Sequence, residues 1–317
     1  MITLFSAPKA FNDPHISLIQ RNAVRSWLAL GEQVEVLLMG DEPGLAEAAS
    51  SLGVRLIPIT DRGESGAPRI SALFATAQRE AQHEILCYLN ADIILLADFL
   101  SGVKRVTGRL KSFLLVGQRW DVKIEADLFA NGDWQGKLRS IMQDGGELHP
   151  PMGSDYFVFP SDQFQTVPDF VLGRAGWDNW MIFHARRMRI PVVDATQAIT
   201  VIHQEHDYAH LPGGAPHYRH PESELNVALA GGLETMFRLR DADWILSGEE
   251  LRRKSLAEWE WPRKLEADWI AALGAGTAAK MVRMAFHPRQ AATYLMKGGK
   301  RQYPTADGLD DRGVKRS

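Results

Sequence analysis

The chain has 317 residues, which suits one large α/β domain with an appendage or two small domains, and it can bury a core without disulfide staples. Its 36 basic and 39 acidic side chains leave a net charge of −3, which argues against general nucleic-acid binding. The single cysteine, Cys87, excludes an internal disulfide; with no leader-like opening and no run of about 20 apolar residues, the expected location is a reducing cytoplasm.

Residues 2–6 are expected to form a buried strand. Ile16, Ile19, Ala23, Trp27 and Leu30 then recur at helical spacing over 15–30. An apolar strand over 34–39 precedes a short helix over 43–52, with Pro43 in its first turn and Gly53 as its stop. A third strand over 55–59 leads into a loop over 60–68 that carries Gly63, Gly66 and Pro68. Helix 69–82, strand 84–89, helix 97–110 and strand 113–117 continue the alternation. This order implies an α/β fold with a mainly parallel sheet flanked by helices. Ligands of such sheets bind outside the carboxyl ends of the strands. The places to look are therefore 6–9, 40–42, 60–68, 90–92 and 118–121.

The second half is less regular. Residues 121–146 should hold a long loop with a helix, 155–160 a strand, 175–188 a helix, and 192–195 and 199–203 two strands. A histidine-rich loop spans 203–220. From Asp241 onward the chain is expected to be helical. Between Trp269 and Ala306 it holds six Lys or Arg and no acid. Residues 278–296 would form a basic amphipathic helix interrupted at Pro288, suited to peripheral contact with the inner face of a membrane or to packing on the core. The expected division is 1–240, a helical extension over 241–305, and a disordered tail over 306–317.

Asn90-Ala91-Asp92 stands at the end of the apolar strand 84–89 and is followed by a second apolar run. Two oxygen ligands on one side of that turn would suit Mg²⁺ or Mn²⁺, with diphosphate oxygens as further partners. Here the chain resembles the GT-A glycosyltransferases, nucleotide-sugar-dependent and bacterial family-2-like, over about residues 1–210. Their D-x-D motif stands at this strand end, and Asn90-Ala91-Asp92 is its N-x-D form. The resemblance implies a GT-A (Rossmann-like) sheet, Asp92 as direct metal ligand, and Asn90 as a second ligand or a ribose partner. It also implies a histidine after a late strand as a further ligand: His203 first, His206 second.

The resemblance further implies an acceptor-side carboxylate at a helix start, acting as general base in inverting members. Asp178, in Gly176-Trp177-Asp178-Asn179-Trp180, is that candidate, with Trp177 and Trp180 as sugar-stacking rings. The family often has two consecutive acids there, and here the second is Asn179. Ser6, Ala7 and Pro8 would hold the base and ribose, Asp41 would contact the base or ribose, and Arg69 a phosphate or base oxygen. Asp155, Arg119 and Trp120 would border the donor sugar.

The expected function is metal-dependent transfer of a sugar, most simply from a UDP-linked donor, to a saccharide or lipid-linked acceptor with inversion. The alternatives are a non-catalytic nucleotide-sugar-binding protein, suggested by Asn90 and Asn179, and a metal-dependent hydrolase using His203, His206 and His210. A nucleotidyltransferase would need a Gly-rich basic loop after the first strand, which Ser6-Ala7-Pro8-Lys9 does not supply.

Overall fold

A computed structural model of the chain describes residues 1–206, 220–289 and 291. The expected alternation is present: β1 (Ile2–Ser6), α1 (Pro14–Leu28), β2 (Val34–Met39), α2 (Leu45–Leu52), β3 (Arg55–Ile57), α3 (Ile70–Glu80), β4 (Ile85–Leu89), β5 (Ile93–Leu95), α4 (Asp98–Thr107), β6 (Leu114–Val116) and β7 (Trp120–Val122). After these come α5 (Trp134–Gly145), β8 (Glu147–Leu148), β9 (Tyr156–Pro160), α6 (Trp177–Arg187), β10 (Val192–Gln197), β11 (Val201–Gln204), α7 (Pro221–Leu229), β12 (Trp244–Ser247), β13 (Glu250–Arg253), α8 (Trp261–Leu273) and α9 (Thr277–Phe286).

The main sheet has the order β13-β12-β10-β6-β9-β4-β1-β2-β3. All of its strands run the same way except β9, which is wedged antiparallel between β4 and β6, and the edge strand β13. Both faces are buried, which is why the strands are continuous apolar runs rather than alternating ones. Successive residues point to opposite faces. Phe5, Leu86, Tyr88, Phe157 and Phe159 enter one core with Phe74 of α3 and Met181 of α6. Leu4, Cys87, Leu89, Tyr156 and Val158 enter the other with Trp27 of α1 and Phe99 of α4.

A smaller sheet, β5-β11-β7-β8, stands beside the carboxyl end of β4. Of its strands only β11 was expected; β5, β7 and β8 have two or three residues each, too few to carry a period. The helical run expected from Asp241 begins instead with β12 and β13, which extend the main sheet beyond β10. Trp244-Ile245-Leu246 gains from a partner strand 50 residues away, which local propensity does not register. The C-terminal helices start at Trp261. At α2 the helix begins one residue after Gly44, whose left-handed φ of +77° keeps Pro43 outside the first turn; Gly53 stops it as expected. The expected tail over 306–317, residue His210 and most of the loop 203–220 lie outside the described residues. No helix among the described residues is long and apolar enough to cross a membrane.

Candidate active site

β4 ends at Leu89, and the chain turns through Asn90-Ala91-Asp92 straight into β5. The turn is closed by Ile93 N–H donating to Asn90 O at 3.2 Å, and Asn90 N–H donating to Asp155 O at 2.9 Å. The main chain of Asp92 is held from the far side. Gln204, fully buried, donates to Asp92 O from its backbone at 3.2 Å and from its side chain at 3.0 Å.

The small sheet sets what faces Asp92. In β11, His203 is opposite Ile93 of β5 on one side and Asp121 of β7 on the other. That register sets His203 beside Asp92, which precedes Ile93, and His206, two residues past the end of β11, joins them. Asp92, His203 and His206 have ligand atoms all within 4.8 Å of one another. His206 Nε2 lies 3.2 Å and His203 Nε2 3.8 Å from Asp92 Oδ2. Asp92 Oδ1 is buried and has no hydrogen-bond partner among the described groups. A buried carboxylate oxygen left unpaired is costly unless a ligand completes it. Burial pushes the Asp92 carboxyl up, but His203, His206 and Lys9 outweigh it and hold the group well below the usual carboxylate range.

The far side of His203 is fixed too. Its Nδ1 lies 3.0 Å from Asp121 Oδ1, and the other oxygen of Asp121 lies 2.6 Å from His149 Nδ1. Arg119 Nε also donates to Asp121, at 2.8 Å. Burial pushes Asp121 up, while His149, His203 and Arg119 together hold it far below its ordinary value. Arg119 extends to Asp155 in a close ion pair, and Asp155 accepts from Asn90 Nδ2 at 2.7 Å. Asn90 Oδ1 in turn accepts from the Tyr88 hydroxyl at 2.8 Å. A continuous polar chain thus runs from Tyr88 to His206. Asn90 sits within it, not in the three-residue cluster: its amide oxygen is already engaged by Tyr88. Tyr88 takes one of the two lone pairs of that oxygen, so Asn90 stays a candidate ligand beside the cluster.

Asp178 lies next to this chain. Gly176, at φ +110°, turns the backbone into α6 and puts Asp178 in its first turn. Ser154 N–H donates to Asp178 Oδ2 at 3.4 Å. Burial, with Asp155 nearby, pushes the Asp178 carboxyl up to about 6, although backbone N–H groups of Asn179 and Ser154 pull it down.

The remaining expected residues divide. Asp155 and Arg119 join the site. Ser6, Ala7 and Pro8 follow β1, and Ser6 Oγ is buried with no partner among the described groups. Lys9, next along, places Nζ 3.3 Å from His206 Nε2. Asp41 is paired instead with Arg62, which also holds Glu42 at 2.8 Å and Gly66 O. Arg69 precedes α3 and pairs with Asp61 at 3.0 Å, tying down the 60–69 loop. Neither is brought to the Asp92 cluster by any contact among the described residues. Trp177 and Trp180 are not open sugar platforms. Their exposures are 5% and 6%; Trp177 packs edge-on to Tyr88, and Trp180 stacks on His184 with ring centroids 4.4 Å apart. Trp120 packs with Ile94, Val122 and Ile202 on the opposite face of β7 from Asp121. The sequence reasoning missed His149 and the pivotal role of Asp121. Asp121 was visible only as a strand-end acid, and His149 carried no signal.

No protein-family model matches the chain, and no curated protein matches it. Solved structures do. The chain is similar to a mannosyltransferase from Pyrobaculum calidifontis in complex with GDP-Man and Mn²⁺, at 14% identity over 94% of this chain and 79% of that one, with a TM-score of 0.44. It is also similar to glucosyl-3-phosphoglycerate synthase from Mycobacterium tuberculosis. The complex with Mn²⁺, UDP and phosphoglyceric acid matches at 12% identity over 74% and 76% of the two chains, TM-score 0.41. The complex with Mg²⁺ and UDP matches at 12% over 74% and 77%, TM-score 0.42.

Proposed function

We propose that the protein is a GT-A-type glycosyltransferase that uses a divalent metal to move a sugar from a nucleotide-sugar donor to a hydroxyl acceptor. The carrying observation is the Asp92–His203–His206 cluster at the carboxyl end of β4, joined by one polar chain to the neighbourhood of Asp178. The site stands where ligands of parallel sheets bind.

The donor set fits a divalent cation. Asp92 Oδ1 lacks a partner among the described residues, and the contact of His203 Nδ1 with Asp121 leaves Nε2 available as a ligand atom. Two imidazoles and one carboxylate favour Mn²⁺ over Mg²⁺, which prefers oxygen. Held by Asp92, His203 and His206, the ion would supply charge neutralisation for the departing nucleoside diphosphate.

The chain's own groups account for the rest. Asp178 is the base. A carboxylate with its pKa raised to about 6 is ionised at neutral pH and still basic enough to take a proton from an acceptor hydroxyl. The acceptor oxygen then bonds to the anomeric carbon as the bond to the donor's phosphate oxygen breaks, and the proton stays on Asp178. One displacement of this kind inverts the anomeric centre. Arg119 and Asp155 are locked to each other and to Asn90, so they offer a rigid wall for the donor sugar. Lys9, beside His206, supplies positive charge for diphosphate. A UDP-linked donor and a saccharide or lipid-linked acceptor remain the proposed substrates, in a cytoplasmic setting.

A specific observation favours one second reading. Two histidines and one carboxylate also suit zinc, so a metal-dependent hydrolase is the alternative. Thermal unfolding of the purified protein separates the two. A nucleoside diphosphate or nucleotide sugar at 100 times its dissociation constant should add about 2.7 kcal/mol, and only with Mn²⁺ present. Asp92→Ala should erase that dependence. Tightly retained zinc with no nucleotide response in any combination would instead select the hydrolase.

A further inference from the structure

α8 buries Glu266, Ala267, Ile270 and Ala271 against the core. Its outer face should then be polar, as on an ordinary surface helix. It is not. Trp261, Leu265, Trp269 and Leu273 follow one another at intervals of four and are 47%, 43%, 56% and 50% exposed. Residues four apart share one helix face, so these make a stripe rather than scattered apolar side chains. Trp269 meets Phe286 of α9 edge-on at 6.3 Å, so the stripe reaches the neighbouring helix. The pair is fastened from beneath by His287 Nε2 to Glu266 at 3.0 Å, and Arg263 joins α8 to the buried Asp241. The apolar face is therefore presented by a well-seated helix pair.

Charge indicates what would cover it. Along α8 and α9 the basic residues are Arg263, Lys264, Lys280 and Arg283, against two acids that are already paired, Glu266 with Arg263 and His287, and Asp268 with Arg186 and Lys264, although the whole chain is net acidic at −3. Lys280 and Arg283 of that set lie on α9, with Lys280 exposed. A second copy of the same face would bring like charges together. An anionic lipid surface meets both requirements at once: phosphate headgroups for the basic side chains, and the interfacial zone that tryptophan prefers for Trp261 and Trp269. We propose that the α8–α9 face is a peripheral docking surface for anionic bilayers. This assignment does not depend on the chemistry at Asp92.

The test is co-sedimentation of the full chain with vesicles of phosphatidylcholine alone or mixed equally with phosphatidylglycerol, at low and at high salt. The expected result is binding to the mixed vesicles only, weakened by salt and with tryptophan fluorescence quenched by brominated lipid. Trp261→Ser with Trp269→Ser should lower the partition coefficient roughly tenfold, and Lys280→Glu should lower it several-fold. Because Trp269 touches Phe286, Leu265→Glu serves as an independent variant that puts a charge on the stripe without removing that contact. Absence of binding at low salt overturns the proposal. So does equal binding to both vesicle types, or binding that none of these variants changes. A dimer that the stripe variants dissociate, in a protein that ignores vesicles, would assign the face to a second copy and overturn it as well.

Discussion

His203 Nδ1 lies 3.0 Å from Asp121 Oδ1, while its Nε2 faces Asp92. The two residues are partners in the β7–β11 register, so their distance is set by a sheet and not by a loop. A carboxylate on Nδ1 fixes the proton there and keeps the Nε2 lone pair for a ligand. Asp121→Asn keeps the size but loses the negative charge, and should weaken Mn²⁺ binding about 10- to 100-fold. Titration calorimetry with Mn²⁺ reads this directly. An unchanged affinity would remove Asp121 from the support of the site. Asp121→Ala should also lower stability, because Arg119 and His149 lose the same partner.

With Asp178 as the proposed base, the pH dependence of transfer should follow its carboxyl. Its carboxyl is raised to about 6, so transfer should rise with pH through about 6 and then level. Asp178→Asn should retain metal-dependent donor binding and lose transfer by about 10²–10⁴-fold. The same shift has a stability consequence of fixed sign. A raised folded pKa means that the fold prefers the protonated form; that stability is full below the unfolded value near 4 and is lost as pH rises through 6. At pH 7.5 the Asn variant should therefore be more stable than the parent by on the order of 1–3 kcal/mol and unfold at a higher temperature, and the gap should close below pH 4. A variant less stable at pH 7.5 would contradict this.

Trp180 was expected to stack on sugar and is instead stacked on His184 and set against Phe170 at 5.3 Å. Trp180→Ala should cost about 3–5 kcal/mol by emptying the core. Trp180→Phe should fold and leave the acceptor KM unchanged. A selective rise in that KM would show that the ring reaches substrate after all.

The sheet was legible because both of its faces are buried. Runs such as Leu86-Cys87-Tyr88-Leu89 are apolar throughout, and the strand-end position of Asp92 followed from them. The proximity of Asp92, His203 and His206 was legible in part, since the two histidines stand three apart in a histidine-rich stretch. What lies around it was not. Asp121 meets His203 across 82 positions and His149 across 28, and no local pattern encodes either distance. Nor does a sequence say which way an amide points: only the fold shows the Asn90 oxygen accepting from Tyr88 and its nitrogen donating to Asp155. Buried and sugar-stacking tryptophans look alike in sequence, so Trp177 and Trp180 were assigned to the wrong surroundings.

Asn179 stands where a second acid is common in the family that the chain resembles, which made a non-catalytic protein worth weighing. Its side chain explains the amide. Nδ2 donates to Phe237 O at 2.7 Å and reaches Met152 O at 3.5 Å, contacts that a carboxylate has no proton to make. If the amide marked a decayed catalytic pair, Asn179→Asp would raise activity. The geometry predicts the reverse. An aspartate would face two carbonyl oxygens and leave one buried acceptor unpaired, at a cost of about 1–3 kcal/mol. It would also add negative charge next to Asp178 and move the pH midpoint for transfer above 6. A pH–rate profile and a melting curve of the same variant check both. Higher activity at pH 7 with undiminished stability would return the decayed-pair reading to favour.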